Sequence, residues 1–238
     1  MTVFQFLCKI FPKSIKNWIK INSNIYDHSI ILNKIKVNGF YPNTIIDIGA
    51  HQGEFTVLAS STWCNSKVLM VEGNEEYFEK LKNIASKHNV FFEGFIVSNS
   101  TEPLFFKKCG SGSEVVANDN YPDVIKVFPK LLDDIFFRYD LKGPVLIKLD
   151  VQGHELNVLK GAIEILKITE VVILEISLIK LGGLAPSPND IMHFFHFHGF
   201  RLFDILGFNR RPCNHDLWQV DWVFVKEESK LGSVHLGW

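Results

Sequence analysis

Apolar and polar positions along the chain follow two alternating periods. Short apolar runs that stop at an acid, a serine or a glycine predict strands over Thr44–Asp47, over Val68–Val71 and within Val90–Val97, where Ser98 ends the run. Two more are expected over Pro144–Asp150 and Val171–Glu175. Between them the spacing turns helical: Tyr77, Leu81 and Ile84 mark a helix over Glu75–His88, and others are expected from about Glu54 to Ser61 and from Glu155 to Leu166. Pro186 to Pro188 mark a loop, Asn189 reads as the cap of a helix ending near His198, and Arg201–Leu206 and Trp222–Val225 read as two closing strands.

Alternating strand–helix units predict a mostly parallel sheet with helices on both faces. Two closing strands joined only by a loop predict an antiparallel hairpin at one edge. The rhythm breaks between Ser100 and Lys142, where Leu104-Phe105-Phe106 reads as an added strand and Gly110 to Ser113 as a flexible loop. Lys130 to Phe137 reads as a strand end or short helix. Insertions of this length carry function or are disordered.

Ahead of this pattern, residues 1–40 read as a helical leader and residues 41–238 as the main domain. The leader's second segment, His28 to Val37, stops at Asn38-Gly39. Its first segment spaces Lys9, Lys13, Lys16 and Lys20 around apolar positions. A helix packed on the domain or a mobile leader is the plain expectation, with weak contact to a membrane surface as the rival. The apolar run Val3 to Cys8 is too short and too interrupted for a signal peptide, and no stretch reaches the ~18 apolar residues of a membrane span.

Composition narrows the classes. A length of 238 residues suits one domain with a sizeable core. The formal net charge of −1 gives no basic field, so nucleic acid is not expected as a partner. Cys8, Cys64, Cys109 and Cys213 are scattered without a C-x-x-C, which predicts free thiols and a cytoplasmic setting. Nothing in the pattern points to an oligomeric state.

The candidate chemistry gathers at strand ends. Thr44 to Phe55 reads T-I-I-D-I-G-A-H-Q-G-E-F: a buried strand, the acid Asp47, a turn through Gly49, Ala50 and Gly53, and a helix start. In an open α/β sheet that corner faces the ligand crevice. The turn has neither the G-x-G-x-x-G of dinucleotide folds nor the G-K-[ST] of phosphate loops. A carboxylate before the turn suits a cationic, phosphate-free cofactor, S-adenosyl-L-methionine (SAM). Glu72 ends the next strand, about 20 residues past the turn, where an acid accepts ribose hydroxyls. Each of these residues alone would read as a cap or turn residue; together they predict a SAM site.

A second cluster is Lys148-Leu149-Asp150-Val151-Gln152-Gly153-His154-Glu155. Lys148 and Asp150 share a strand face, and a buried lysine must be paired or line a cavity. Asp150 or His154 would assist proton removal from an acceptor hydroxyl, the histidine having the more suitable intrinsic pKa. The structural alternatives are Asp150 as a helix cap, Glu155 as a helix-dipole acid and Lys148 salt-bridged to Glu175. Weaker signals are His193, His196 and His198, read as a packed aromatic helix before a metal site, and Asp133-Asp134 with Asp150 as a Mg²⁺ alternative. Trp218 and Trp222 with Arg210-Arg211 would form a sugar-stacking wall or simply pack an edge.

On these segments the chain resembles the FkbM-type SAM-dependent methyltransferases. The residues that carry the likeness are Ile46-Asp47-Ile48-Gly49-Ala50-His51-Gln52-Gly53, Lys148 to Glu155, Leu159-Lys160-Gly161-Ala162 and Leu132-Asp133-Asp134. They lie within roughly Thr44 to Ile176; Glu72-Gly73-Asn74 departs from the family's usual E-P but keeps the acid. The resemblance implies a Rossmann-like class I methyltransferase fold: a mostly parallel seven-stranded sheet with an antiparallel edge hairpin. It also implies O-methylation of a hydroxyl on a glycan, sugar or related small molecule. Carried over, Asp47, Gly49, Ala50, Gly53 and Glu72 would bind cofactor, with Ser98 near the adenine and Lys148, Asp150, His154 and Glu155 toward methyl transfer. The rivals are a SAM-binding module without turnover and, against the missing G-x-G-x-x-G, a nucleotide-cofactor oxidoreductase.

Overall fold

The computed structural model describes residues 27–87, 89–179 and 184–231. The first leader segment and position 88 fall outside them. Strands β1 (Thr44–Ile48), β2 (Lys67–Glu72) and β3 (Val90–Gly94) pair in parallel on one side of the sheet; β7 (Val145–Leu149) and β8 (Thr169–Ser177) extend it on the other. The order β3-β2-β1-β7-β8-β10-β9 reverses direction of growth between β1 and β7. Beside β8, β10 (Leu217–Lys226) runs antiparallel and pairs antiparallel with β9 (Phe200–Arg210) at the edge. The hairpin is therefore folded back, its second strand inside its first.

Both faces are covered, as near-continuous apolar strands require. One face packs Ile45, Met70, Leu146, Ile173 and Val223 against α1 (residues 27–37), α2 (Glu54–Thr62) and α3 (Phe78–Ala85). Ile31, Leu32 and Ile35 of α1 are buried there, so the leader's second segment is part of the domain's core. The other face packs Ile46, Leu69, Ile147, Leu174 and Phe224 against α4 (Leu132–Phe136), α5 (Glu155–Lys160), α6 (Ile163–Lys167) and α7 (Pro188–Phe197).

Three elements differ from the sequence pattern. The helix expected over Glu155–Leu166 is broken at Gly161-Ala162, where the chain packs so closely on Ser98 that a Cβ on Gly161 would lie 2.1 Å from its carbonyl oxygen. The cap of α7 is Ser187, not Asn189: Ser187 Oγ accepts from the Asp190 N–H at 3.2 Å and Asp190 accepts from the Ser187 N–H at 3.0 Å, with Pro188 opening the helix. The inserted region forms a separate antiparallel sheet, β4 (Leu104–Lys107) flanked by β5 (Glu114–Val116) and β6 (Val124–Val127).

Candidate active site

The crevice lies where β1 and β7 part company, at their C-terminal ends, as expected for a switch point of an open sheet. Gly49 leaves β1 with φ +75, and a Cβ there would sit 1.8 Å from the Asp150 backbone oxygen. The two loops are that close. Gly53 (φ +81) begins α2 with its Cα facing Ile84, where a Cβ would come within 2.5 Å of the side chain. Both turns require glycine for the same two reasons, a left-handed backbone and no space.

Beside this junction is a pocket walled by Val71, Phe95, Ile96 and Val97 from the sheet side and roofed by Phe106, Gly110, Ser111, Ser113 and Val115 of the insertion. Gly49, Glu72, Asp150 and His154 line it, as do three residues the sequence reading left unassigned: His51, Tyr77 and Gln152. None of its described lining residues is lysine or arginine. Apolar walls, one buried acid and open backbone fit SAM, which has ribose hydroxyls and a cation but no phosphate.

Glu72 is held by backbone. Its Oε2 accepts from the His51 N–H at 2.8 Å and its Oε1 from the Asn74 N–H at 2.7 Å. Burial raises its pKa, and these N–H donors partly oppose the shift. Each oxygen keeps a lone pair for a diol. His51 owes its place to a left-handed φ of 49, and its ring meets Tyr77 edge-on at 4.3 Å between centroids.

Asp47, Ala50, Gly53, Ser98 and Lys148 stand behind the lining. Asp47 is 2 % exposed and accepts from Thr56 Oγ1 at 2.6 Å; burial raises its carboxyl to about 6 despite that hydroxyl and Lys148. Its role is to tie β1 to α2 beneath the turn. Ser98 does not face the pocket. Its hydroxyl pairs with His154 Nε2 at 2.9 Å, and Asn157 Nδ2 meets His154 Nδ1 at 3.2 Å. With Asn157 donating to Nδ1, the histidine proton resides on Nε2 and is given to Ser98. Burial pushes His154 down to about 4, which removes the pKa advantage expected of it as a base. His154 opens α5 without a side-chain cap bond, and its ring, part of the pocket lining, joins that helix to Ser98.

The charged cluster occupies the ends of β7, β8 and β10. Lys148 is 5 % exposed, with its Nζ 3.6 Å from Asp150 Oδ2. Burial works to lower its pKa, but Asp150, Asp221, Glu175 and Asp47 outweigh it and hold the lysine charged. Asp221, register partner of Glu175 across β8–β10, lies 3.2 Å from His28 Nε2 of α1. Burial works to raise the Asp221 pKa; Lys148 and His28 outweigh it and lower it. Glu175 is not bridged to Lys148: its Oε2 accepts from Gln152 at 3.0 Å and Gln219 at 2.7 Å. Burial first, then the charges of Asp150 and Asp221, raise it well above the usual carboxylate range. Glu155 accepts from the Gly153 N–H at 2.9 Å, and burial lifts it to about 7.

Other candidates resolve structurally. Asp133 accepts the N–H groups of Glu164 and Ile165, both at 3.0 Å, and so caps α6 from a distance rather than holding Mg²⁺. No cluster of metal-ligating residues occurs among the described residues. His193 and His196 are exposed on α7. Trp222 packs against Phe224 in the opposite face from Asp221, so it belongs to edge packing and not to a wall of this crevice.

This topology, with its last strand reversed and inserted, defines a class I SAM-dependent methyltransferase fold. The Methyltransferase FkbM domain matches residues 47–202, and the chain belongs to that family. Among solved structures, the plantazolicin methyltransferase BamL, in complex with a triazolic desmethylPZN analog and SAH, shares 9% identity at a TM-score of 0.52, covering 88% of this chain and 86% of that one. Magnesium protoporphyrin IX methyltransferase (ChlM) from Synechocystis PCC 6803 with bound SAM shares 12% at 0.48, over 87% and 80%. Precorrin-6y C5,15-methyltransferase from Geobacter metallireducens GS-15 shares 12% at 0.45, over 83% and 86%. At such identities the likeness is one of fold. A search of curated proteins returns no match to the sequence.

Proposed function

We propose that this protein is a SAM-dependent O-methyltransferase whose acceptor is a hydroxyl of a glycan, sugar or related small molecule. The observation that carries the reading is Asp150. It directly follows β7 in the lining of the pocket that Glu72 also lines, and it is the carboxylate an incoming hydroxyl would meet there. Glu72 would take the ribose hydroxyls, and the turn through Gly49, Ala50 and Gly53 would let the backbone approach. When bound, SAM supplies a methyl group activated by its cationic sulfur. Asp150 accepts the hydroxyl's hydrogen bond and then its proton, with Lys148 beside it stabilising the carboxylate. None of the described lining residues is a lysine or arginine that would pair with an anionic acceptor, which favours neutral polyols. Cys64, Cys109 and Cys213 are exposed thiols, which supports a cytoplasmic setting.

Calorimetric titration with SAM, beside Glu72→Ala, tests the cofactor. Binding near ~1 μM that the substitution abolishes is expected, after which sugars are screened as acceptors with methyl-labelled SAM. A well-folded protein that takes up no SAM sinks the reading.

A further inference from the structure

One side chain joins the cofactor pocket to the end of β8. Gln152 lines the pocket and has a left-handed backbone (φ 52), immediately before Gly153 (φ 96). Its amide nitrogen donates to Asp150 Oδ1 at 2.8 Å and to Glu175 Oε2 at 3.0 Å. That Glu175 oxygen also accepts from Gln219, which leaves Glu175 Oε1 without a hydrogen-bond partner among the described residues. A non-glycine residue holds such a backbone only where its surroundings over-determine it. Here the surroundings are two acids on adjacent strands that would otherwise repel each other.

We propose that Gln152 is a positioning residue for methyl transfer: its amide ties Asp150 to Glu175 behind it, so that the Asp150 carboxylate is held in one orientation toward the acceptor hydroxyl. An amide suits this task because it donates two hydrogen bonds without charge. A lysine or arginine would make the same bonds but neutralise the carboxylate that must take the proton. A glutamate would add a third repelling acid. The charged groups facing the clamp are Lys148 and Asp150 from β7, Asp221 from β10 and Glu155 from α5, with His28 of α1 against Asp221. The catalytic part of this role rests on the O-methyltransferase reading above; the clamp does not.

The test is a ¹³C-carboxyl NMR titration of labelled full-length protein, wild type beside Gln152→Gly and Gln152→Ala, with the two resonances assigned through Asp150→Asn and Glu175→Gln. Glycine accepts the left-handed backbone more readily, so Gln152→Gly keeps the fold and removes only the clamp. Loss of the amide donor is expected to displace the Glu175 titration to higher pH than in the wild type. SAM affinity measured in each variant separates any loss of cofactor from loss of positioning, while kcat toward a sugar acceptor at saturating SAM falls roughly tenfold or more and the acid limb of its pH profile moves. SAM binding with a titration that superimposes on wild type overturns the clamp and leaves methyl transfer standing. A shifted titration in a wild type and variant that bind no SAM overturns the methyl-transfer role and leaves only the clamp.

Discussion

The two halves of the crevice are built on opposite plans. On the side of β1, β2 and β3 the wall is backbone and apolar side chains, with one acid, Glu72, gripped by the N–H groups of His51 and Asn74. On the side of β7, β8 and β10, side chains grip one another: Lys148 stands among Asp47, Asp150, Glu175 and Asp221, and two glutamines hold Glu175. The first half depends chiefly on a few backbone conformations, with burial raising the pKa of its one gripped acid. The second is a network in which each group's charge is set by its neighbours, so it answers to pH and to any single deletion.

The sharpest way to break this contrast is Lys148→Met. It leaves the buried acids without their central cation and is expected to cost about 3–5 kcal/mol in urea unfolding. The deficit should be larger at pH 8 than at pH 5, because the acids with raised pKa can protonate at the lower pH. Equal loss at both pH values would mean that packing, not charge, holds this half.

Gly49→Ala attacks the other plan. A Cβ 1.8 Å from the Asp150 oxygen on a left-handed backbone should cost roughly 2–4 kcal/mol. Here the loss should be the same at pH 5 and pH 8, with SAM binding abolished. Wild-type affinity in calorimetry would show that the loops are free to separate.

Glu155→Gln sharpens the comparison with the opposite sign. The folded state holds this carboxyl at about 7 against an ordinary 4.5, so it binds the extra proton between those values. Its contribution to stability is full below about 4.5 and is lost as pH rises through about 7. A permanently neutral amide avoids that loss. The variant should gain on wild type between pH 5 and pH 8 by about 2–3 kcal/mol, read by parallel urea titrations. A constant difference would refute the buried-acid assignment.

Asp133→Ala is the smallest and lies outside both halves. Uncapping α6 should cost about 1 kcal/mol and leave SAM affinity unchanged. A fall in SAM affinity would connect the L-D-D segment to the pocket after all.

The same contrast explains what was readable in the chain. The strand over Thr44–Ile48, the glycines at 49 and 53 and the acid at 72 are local facts, and the backbone-built half follows from them. The charged half is assembled across sequence. Asp221 meets Glu175 only through the pairing of β10 with β8, and no spacing rule joins Gln219 to either. His154 was visible as a residue, but its burial against Ser98, which lowers its pKa, was not. The strands β5 and β6 are three and four residues long, too short for a period to emerge. Leu132-Asp133-Asp134 shows that a family motif can mark a distant helix cap. Ser187 was legible: S-P-N-D is a capping box, and the cap belonged one step before the proline.

The inserted last strand has a consequence in time. As the chain is made, β9 is complete before β10 exists, yet β9 has no place in the sheet until β10 arrives to stand between it and β8. Until then β8 presents a bare edge whose centre, Val171 to Leu174, is apolar, the kind of surface on which nascent chains join one another. The strand that finally covers it also delivers Gln219 and Asp221. Closing the sheet and completing the polar network are thus one event, and a chain that has not finished folding cannot yet hold its acids in their working arrangement.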